Sequence, residues 1–382
     1  MSNFLRGLIA VTALIHIPFA LAVFSLTGHG VALSLRTRIL VSVFIGCAGV
    51  IPIYLRARSG LYDTRKNDLR VRFVDVPYFI HWCASVFATL IAPLYLLSAP
   101  IVSWVALGIP RVSSEAFLWM YGAGLVVSSY GILYRRRAFL VKKHEIRVRG
   151  LDRRLDGFTI AHLSDLHIGS FTPRSWGLKW IARANQCRPD LAVVTGDLAT
   201  SGTAYYDDIV EVVGALEAKR GTIVSMGNHD YFGDGEPLIR GLEGKGIRVL
   251  RNEGFVIDVD GGEMFIAGVD DTWTRRANLQ KAFEGRPVGA TSLLLAHDPA
   301  LFDDASELHA SLVLSGHTHG GQIAIPYAAK RYSLSMFAHT YNLGFYRRGD
   351  SILYVHPGLG TTGPPIRIGV APAVVLLTLR SG

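Results

Sequence analysis

Residues 316–321 read Gly-His-Thr-His-Gly-Gly, and this stretch decides how the second half of the chain folds. Imidazole is the commonest metal ligand in proteins, and two imidazoles one residue apart on a glycine-flanked turn can bind two neighbouring ions. Four earlier segments end in similar side chains, each after an apolar run of strand length. They are Asp165-Leu166-His167, Gly196-Asp197, Gly227-Asn228-His229-Asp230 and Ala296-His297.

The apolar runs that precede these segments alternate with helical patterns. Strands are predicted at 158–164, 191–195 and 222–226, and helices at 172–186, 205–218 and 237–245. This alternation implies right-handed parallel crossover units. A hairpin about Gly261-Gly262 and five further strands are predicted after them, at 255–259, 263–268, 292–296, 311–315, 322–325, 351–355 and 373–379. Together they predict an α/β sandwich of mixed sheets with helices outside.

The candidate ligands all fall at the carboxyl ends of predicted strands, where open α/β sheets bind ligands. They are Asp165, His167, Asp197, Asn228, His297, His317 and His319. Imidazole, carboxylate and amide groups without thiolate suit Mn²⁺, Fe²⁺ or Zn²⁺. Seven ligands exceed one ordinary site, so we expect two ions with Asp197 as the bridge. Two ions about 3.5–4 Å apart can activate a water and stabilise both oxygens of a phosphoryl transfer.

Two residues beside Asn228 are candidates for acid–base chemistry. His229 would point at the leaving-group oxygen as general acid or hydrogen-bond donor. Asp230 would orient that imidazole.

The five ordered blocks, D-x-H, G-D, G-N-H-D, a lone His and G-H-x-H, resemble the calcineurin-like metallophosphoesterase superfamily over about residues 158–380. The resemblance implies a four-layer sandwich of two mixed β-sheets flanked by helices, and a leaving-group role for His229. It implies one ion bound by Asp165, His167, Asp197 and His319, and a second bound by Asp197, Asn228, His297 and His317.

Gly320-Gly321-Gln322 and residues 358–367 look more narrowly like the bacterial membrane-associated branch, which includes a UDP-2,3-diacylglucosamine pyrophosphatase. Many relatives have Asn where this chain has Asp298, and a small polar residue is expected at His356. His356 and Arg367 are candidate substrate contacts, since an arginine fork matches phosphate oxygens. Residues 327–348 mix aromatic and basic side chains, which fits either a substrate cap or a surface loop.

The first half of the chain differs in composition. Four stretches without Asp, Glu, Lys or Arg lie at 7–26, 39–55, 76–97 and 116–134. Each is close to the roughly 20 residues that cross a bilayer as a helix. They predict a membrane domain at 1–140 with four transmembrane helices, followed by a metallophosphoesterase domain at 141–382. The first stretch could instead be a cleaved secretory signal.

Basic residues cluster in the second connection and after the fourth stretch, and the positive-inside rule then places both termini in the cytoplasm. We expect a multi-pass protein of the bacterial plasma membrane with its catalytic domain facing the cytoplasm. The net charge of +9 is largely juxtamembrane, so no nucleic-acid partner is inferred. The three cysteines form no disulfide or zinc framework.

These observations lead to one main hypothesis and two alternatives. The main hypothesis is a membrane-anchored hydrolase that uses two divalent ions, Mn²⁺ first and Fe²⁺, Zn²⁺ or Mg²⁺ otherwise, to cleave a phosphodiester or pyrophosphate. Its substrate would be an anionic phosphate compound such as the nucleotide-linked lipid UDP-2,3-diacylglucosamine, with membrane lipids as the other partner and no obligate protein partner. The alternatives are a general phosphodiesterase or phospholipid phosphoesterase, and a non-catalytic metal-binding module on a membrane sensor or transporter.

Overall fold

The computed structural model describes residues 3–28, 33–58, 68–109 and 111–382. They form two compact units, which divide between Tyr134 and Arg135. The second unit therefore starts six residues before the boundary expected at 141, and Arg136 helps to explain why. Its side chain is buried, and its guanidinium lies 4.9 Å from the ring centre of Trp176 in the same unit. Arg65 and Lys66, two of the basic residues in the orientation argument, lie outside the described residues.

The first unit consists of apolar helices. They are α1 (Asn3–Leu26), α2 (Leu35–Ala48), α3 (Ile51–Arg58), α4 (Val76–Leu107) and α5 (Ser114–Ser129). A π-helical turn precedes α4 at Val71–Asp75, and another follows α5 at Tyr130–Arg135. Among the described residues, four segments are long and apolar enough to cross a membrane, which confirms the four predicted helices: Arg6–Leu26, Leu35–Arg56, Val71–Leu107 and Ser114–Arg135.

Helix α4 extends ten residues beyond the predicted stretch 76–97, and Pro100 lies inside it. No charged residue interrupts the apolar run after Leu97, so the helix continues through Pro100. It ends where Gly108 takes up the left-handed conformation, with φ of 67°. Glycine adopts that conformation without steric cost and is the usual helix terminator.

His16 and His81, which the sequence pattern leaves isolated, join three helices of this unit. His16 Nδ1–H donates to the Thr12 carbonyl over 2.6 Å, so its Nε2 must accept. His81 Nε2–H fills that role at 3.0 Å, and the Tyr121 hydroxyl donates to His81 Nδ1 at 2.8 Å. Such interhelical hydrogen bonds contribute about 0.6–2 kcal/mol each in membrane helices. The chain of bonds therefore ties α1, α4 and α5 together.

The second unit contains two six-stranded sheets. The first has the order β1-β12-β2-β3-β4-β5, and the second β10-β11-β9-β8-β7-β6. The strands of the first sheet are β1 (Leu140–Val148), β2 (Thr159–Leu163), β3 (Leu191–Thr195), β4 (Thr222–Ser225), β5 (Arg248–Leu250) and β12 (Ala373–Ser381). Those of the second are β6 (Glu253–Val259), β7 (Gly262–Gly268), β8 (Ser292–Leu295), β9 (Leu312–Ser315), β10 (Gly344–Arg348) and β11 (Ser351–Val355). Antiparallel pairs occur at β12–β2, β6–β7 and β10–β11, and the other pairs are parallel.

Helices cover the outer faces of both sheets. The first sheet carries α6 (Arg174–Asn185), α7 (Tyr206–Gly214) and α8 (Glu236–Glu243), and the second carries α9 (Leu279–Ala282) and α10 (Phe302–Glu307). A separate apolar core fills the space between the sheets. Trp180 is buried in the layer beneath α6, with Trp176 packed against the same cluster. The predicted four-layer sandwich is thereby confirmed.

One predicted strand is wrong. Residues 322–325 do not form a strand, since Ile323 and Ala324 make only isolated bridges, to Ile368 and Ser333 among others. Gln322 has a positive φ of 56°, which breaks the extended backbone at its start. The short edge strands β5 and β10 were not predicted, because three and five residues give little periodicity to detect.

Candidate metal centre

The candidate ligands leave five strands at the same edge of the two sheets. Asp165 and His167 follow β2, Asp197 follows β3, Asn228 follows β4, His297 follows β8, and His317 with His319 follow β9. The structure gathers their ligand atoms into two groups, within 4.8 Å of one another in each. The first group is Asp165, His167, Asp197 and His319, and the second is Asp197, His297 and His317. Asp197 is common to both, and Asn228 lines the same cavity as Asp197.

The backbone is strained at most of these positions. Five of the seven candidate ligands have positive φ, a region that residues with a Cβ rarely occupy: Asp165 (53°), His167 (45°), Asp197 (52°), His317 (69°) and His319 (53°). Each such residue costs of order 1–3 kcal/mol and persists only where its surroundings enforce it. The fold thus gives up stability to aim these side chains at one place.

In the first group, two imidazoles and two carboxylates face each other. His167 Nε2 lies 3.0 Å from His319 Nε2 and 3.5 Å from Asp197 Oδ2. His319 Nε2 lies 3.4 Å from Asp165 Oδ1. The backbone N–H of His317 also donates to Asp165 Oδ1 over 2.9 Å, which connects this group to the other.

In the second group, His297 is central. Its Nε2 lies 3.2 Å from Asp197 Oδ2 and 3.2 Å from His317 Nδ1. Its Nδ1–H donates to the Thr195 carbonyl over 2.7 Å. A second partner of this kind fixes the ring orientation and tautomer of a metal-binding histidine. Burial acts to lower the pKa of His297, but the Asp197 carboxylate raises it to about 10, so a cation that binds at Nε2 displaces a proton.

The donor set fits divalent cations. Asp165 Oδ2 and Asn228 Oδ1 are buried oxygens without a hydrogen-bond partner among the described residues, a costly state that a bound cation relieves. Burial lowers the pKa of His167 to about 3 and of His317 to about 4, which leaves their lone pairs free for a metal at neutral pH. Burial acts to raise the pKa of Asp197, but the neighbouring His297 and His229 hold it well below its usual value. Asp197 therefore stays ionised between the two groups.

Two glycines allow the loops to approach so closely. A Cβ on Gly316 would overlap Ser164 Oγ and Asp165 Oδ2, and one on Gly227 would overlap Asp197 Oδ1. Glycine therefore precedes His317 and Asn228 for a steric reason.

His229 lies on the cavity wall in a fixed orientation. Its Nδ1–H donates to the Thr200 carbonyl over 2.6 Å, and its backbone N–H donates to Asp197 Oδ1 over 2.9 Å. Its Nε2 is 3.3 Å from the Thr362 hydroxyl. This arrangement turns Nε2 toward the cavity.

The prediction that Asp230 orients His229 is wrong. The two carboxyl oxygens of Asp230 accept from the backbone N–H groups of Ala199 and Gly227, each over 2.9 Å. Burial and the charge of Asp197 raise the pKa of Asp230 to about 7. Asp230 thus fixes the loops that carry the ligands, and the Thr200 carbonyl orients the imidazole.

The predicted substrate contacts Arg367 and His356 are fully buried and do not line the cavity. Arg367 donates to the Gly360 carbonyl over 2.6 Å and to the Pro357 carbonyl over 2.8 Å. Its Nη2 lies 3.3 Å from His319 Nδ1. Burial closes any direct path to substrate, so the geometry places Arg367 behind a ligand rather than against a phosphate.

A cavity of about 400 Å³ opens above the two groups. Leu334, Ser335 and His339 of its wall fall within residues 327–348, for which a substrate cap was one of two expectations. Sequence reasoning assigned no site role to the wall residues Phe232, Trp273, Gln322 and Thr362. His339 has no motif around it, yet its ring centre is 5.3 Å from that of His317. Gln322 had a signal, because it directly follows the Gly320-Gly321 pair. It donates to the Thr362 carbonyl and accepts from the Thr362 N–H.

Comparisons with known proteins agree with this geometry. Residues 158–321, which include all seven candidate ligands, match the Calcineurin-like phosphoesterase family. The chain is 32% identical over 228 residues to the uncharacterized metallophosphoesterase YkoQ of Bacillus subtilis. The aligned region covers 56% of this chain and 81% of YkoQ. It is 29% identical to YkuE of the same organism, over 71% of this chain and 99% of YkuE. A zebrafish transmembrane protein with metallophosphoesterase domain is 31% identical over 67% of this chain and 60% of its own length.

The two-sheet sandwich and its paired His/Asp groups define a metallophosphoesterase domain. The chain belongs to the calcineurin-like metallophosphoesterase family. Its four long apolar helices and its similarity to a transmembrane relative indicate a membrane protein.

Proposed function

We propose that this chain is a membrane-anchored phosphohydrolase that uses two divalent ions to cleave a phosphodiester or pyrophosphate. The observation that carries the proposal is the convergence of two buried ligand groups on Asp197 at the floor of one cavity. One ion would be held by Asp165, His167, Asp197 and His319, and the other by Asp197, Asn228, His297 and His317. We propose Mn²⁺ for both, since the mixed N and O donors suit it.

When bound, such a pair of ions activates a water and neutralises charge on the phosphoryl oxygens. The residues of the chain supply orientation and proton transfer. His229 presents Nε2 to the cavity while the Thr200 carbonyl holds its other nitrogen, so a protonated Nε2 can donate to the leaving oxygen. Asp230 keeps the His229 loop in place through Gly227.

The substrate we propose is a lipid-linked phosphate such as UDP-2,3-diacylglucosamine. Support comes from the cavity itself, where the apolar side chains of Phe232, Trp273 and Leu334 stand above a polar floor. The four apolar helices would keep the site close to a bilayer. The cytoplasmic face of a bacterial plasma membrane is the location we propose, and the basic residues Arg56, Arg70 and Arg72 before α4 support it.

Purified full-length protein loaded with Mn²⁺ tests the proposal. It should hydrolyse bis(p-nitrophenyl) phosphate and UDP-2,3-diacylglucosamine, and Asp197→Asn should abolish both activities. The control is Asp350→Asn, which removes an exposed carboxylate that pairs with Arg149. Protein that binds two ions per chain but cleaves neither substrate would instead support the non-catalytic metal-binding module.

A further inference from the structure

Exposed apolar side chains of the second unit concentrate on one segment. Eleven large hydrophobic residues are exposed in residues 135–382, and eight of them either line the cavity or lie within residues 325–337. Two, Phe232 and Trp273, line the cavity. The other six form what we call the apolar rim: Ile325, Tyr327, Tyr332, Leu334, Met336 and Phe337. Contiguous exposed apolar surface of this kind marks an interaction site.

The rim is presented outward by an ordered backbone. Ile325 N–H donates to the Tyr332 carbonyl over 2.9 Å, and Leu334 N–H donates to the Ile323 carbonyl over 3.1 Å. Asn342 Nδ2 donates to the Lys330 carbonyl over 3.0 Å, which holds the segment from the other side. The exposed side chains are therefore held in place by the fold.

The polarity of this segment is inverted. Ser333 and Ser335 are buried and hydrogen-bonded to each other at 3.0 Å. Their neighbours Leu334 and Phe337 are 56% and 83% exposed. A water-facing loop buries its apolar residues and exposes its serines, so the reverse order indicates an apolar medium outside.

The charged residues of the segment indicate that this apolar medium is an anionic bilayer. No Asp or Glu occurs between residues 308 and 349, whereas Lys330 and Arg331 are exposed within the rim segment. Apolar side chains interspersed with basic ones bind the interface of an anionic bilayer, where each basic residue contributes about 1 kcal/mol.

The rim is continuous with the catalytic cavity. Leu334 belongs to both, its buried neighbour Ser335 also lines the cavity, and the cavity wall continues to His317 and His319. A bilayer resting on the rim would therefore lie at the mouth of the site, with its headgroup phosphates beside the proposed ions.

We propose that the apolar rim docks on the surface of an anionic lipid bilayer and presents the cavity to the phosphate of a membrane lipid. The docking part of this proposal is argued from the exposure and charge of the segment. The presentation of a lipid phosphate to the cavity rests on the proposed phosphohydrolase function. Tyr327 and Phe337 enter the interfacial layer, while Leu334 continues the apolar path to the cavity.

Photocrosslinking tests the docking without using activity. The photoreactive residue p-benzoylphenylalanine is placed at Phe337 or, as a matched control, at Val288, an exposed apolar residue outside the segment 325–337. The full chain is reconstituted in nanodiscs of phosphatidylcholine with or without phosphatidylglycerol. We expect roughly tenfold more lipid adduct at 337 than at 288, with a further increase when phosphatidylglycerol is present. Equal lipid adducts at the two positions, or adducts at 337 only to another protein chain, would overturn the docking proposal.

Two substrates with the same leaving group test whether the rim presents lipid phosphate to the cavity. Phe337→Ser and Tyr327→Ser should leave hydrolysis of soluble bis(p-nitrophenyl) phosphate unchanged, and lower hydrolysis of phosphatidyl-p-nitrophenol in the nanodisc roughly tenfold. Val288→Ser should change neither rate. Equal effects on both substrates, or none on the lipid, would contradict the presentation of lipid phosphate by the rim. If the wild type cleaves neither substrate, the proposed function fails, and the crosslink still decides the docking surface.

Discussion

Two pairs of buried histidines, one in each unit, have the same separation and different surroundings. His16 and His81 in the helical unit, like His167 and His319 in the sandwich, place their Nε2 atoms 3.0 Å apart. In the helical unit, the two Nδ1 atoms contact the Thr12 carbonyl and the Tyr121 hydroxyl, so a single proton between the two Nε2 atoms explains their contact. In the sandwich, Asp165 and Asp197 approach the same nitrogens. The same distance therefore indicates a hydrogen bond in one unit and a cation site in the other.

The two units also differ in the polarity of their surfaces. Phe44, Leu97 and Val105 of the helical unit are among many exposed apolar side chains, as expected for helices that face lipid. In the sandwich, apolar residues fill the interior and are exposed mainly at the rim. The surface of the helical unit is therefore apolar, as in lipid, and the surface of the sandwich is mostly polar, as in water. The apolar rim is the exception on the sandwich.

The largest expected effect comes from Asp197→Asn. This substitution removes the carboxylate shared by both ligand groups, so we expect loss of both ions and a rate reduction of about 10³-fold or more. Metal analysis and hydrolysis of bis(p-nitrophenyl) phosphate measure the two losses. His81→Phe serves as the contrasting variant and should keep two ions per chain. Loss of metal in His81→Phe would break the distinction between the two histidine pairs.

His229→Ala should separate binding from chemistry. It removes the imidazole that we propose donates to the leaving group but no proposed ligand, so we expect a rate about 10²–10⁴-fold lower with the metal content unchanged. Steady-state kinetics beside metal analysis provide the check. A variant that loses its ions would show that His229 supports the metal centre instead.

Arg367→Gln should weaken metal binding by about 10–100-fold, the effect typical of a residue that supports a ligand. Its guanidinium holds the Gly360 carbonyl and lies against His319, and glutamine cannot reach all of these groups. Titration of metal-stripped protein with Mn²⁺ measures the change. A raised KM with unchanged metal affinity would instead support the substrate contact expected from the sequence.

The smallest effect is expected in the helical unit. Tyr121→Phe removes the donor to His81 Nδ1, and His81→Phe removes the bridge between α1 and α5, so we expect losses of about 0.6–2 kcal/mol in stability. Thermal unfolding in detergent reports the loss, and hydrolysis of the soluble ester should not change. Removal of bound metal with a chelator should leave the stability contribution of this network intact.

The candidate ligands and the mixed sheets could be predicted because their determinants are local, whereas the division of the ligands into two groups and the four layers came from the family resemblance. Each candidate ligand directly follows an apolar run, and the carboxyl ends of neighbouring strands must meet at one edge. The same reasoning found the four apolar helices. It ended the third span at Leu97, whereas α4 continues to Leu107 and ends at the left-handed Gly108.

The remaining features depend on tertiary contacts that no local pattern encodes. Asp230 lies beside His229 in sequence, but its oxygens turn toward the backbone of Ala199 and Gly227. Arg367 resembles a phosphate-binding arginine until its burial is known. His16 and His81 are 65 residues apart, and only the packing of α1 on α4 brings them together.

The most direct test of the metal centre is anomalous X-ray diffraction from crystals of the full chain grown with Mn²⁺ and measured at the manganese absorption edge. We predict two peaks about 3.5–4 Å apart, one on each side of the Asp197 carboxylate. A single peak, or two peaks that do not share Asp197, would contradict the two-ion site.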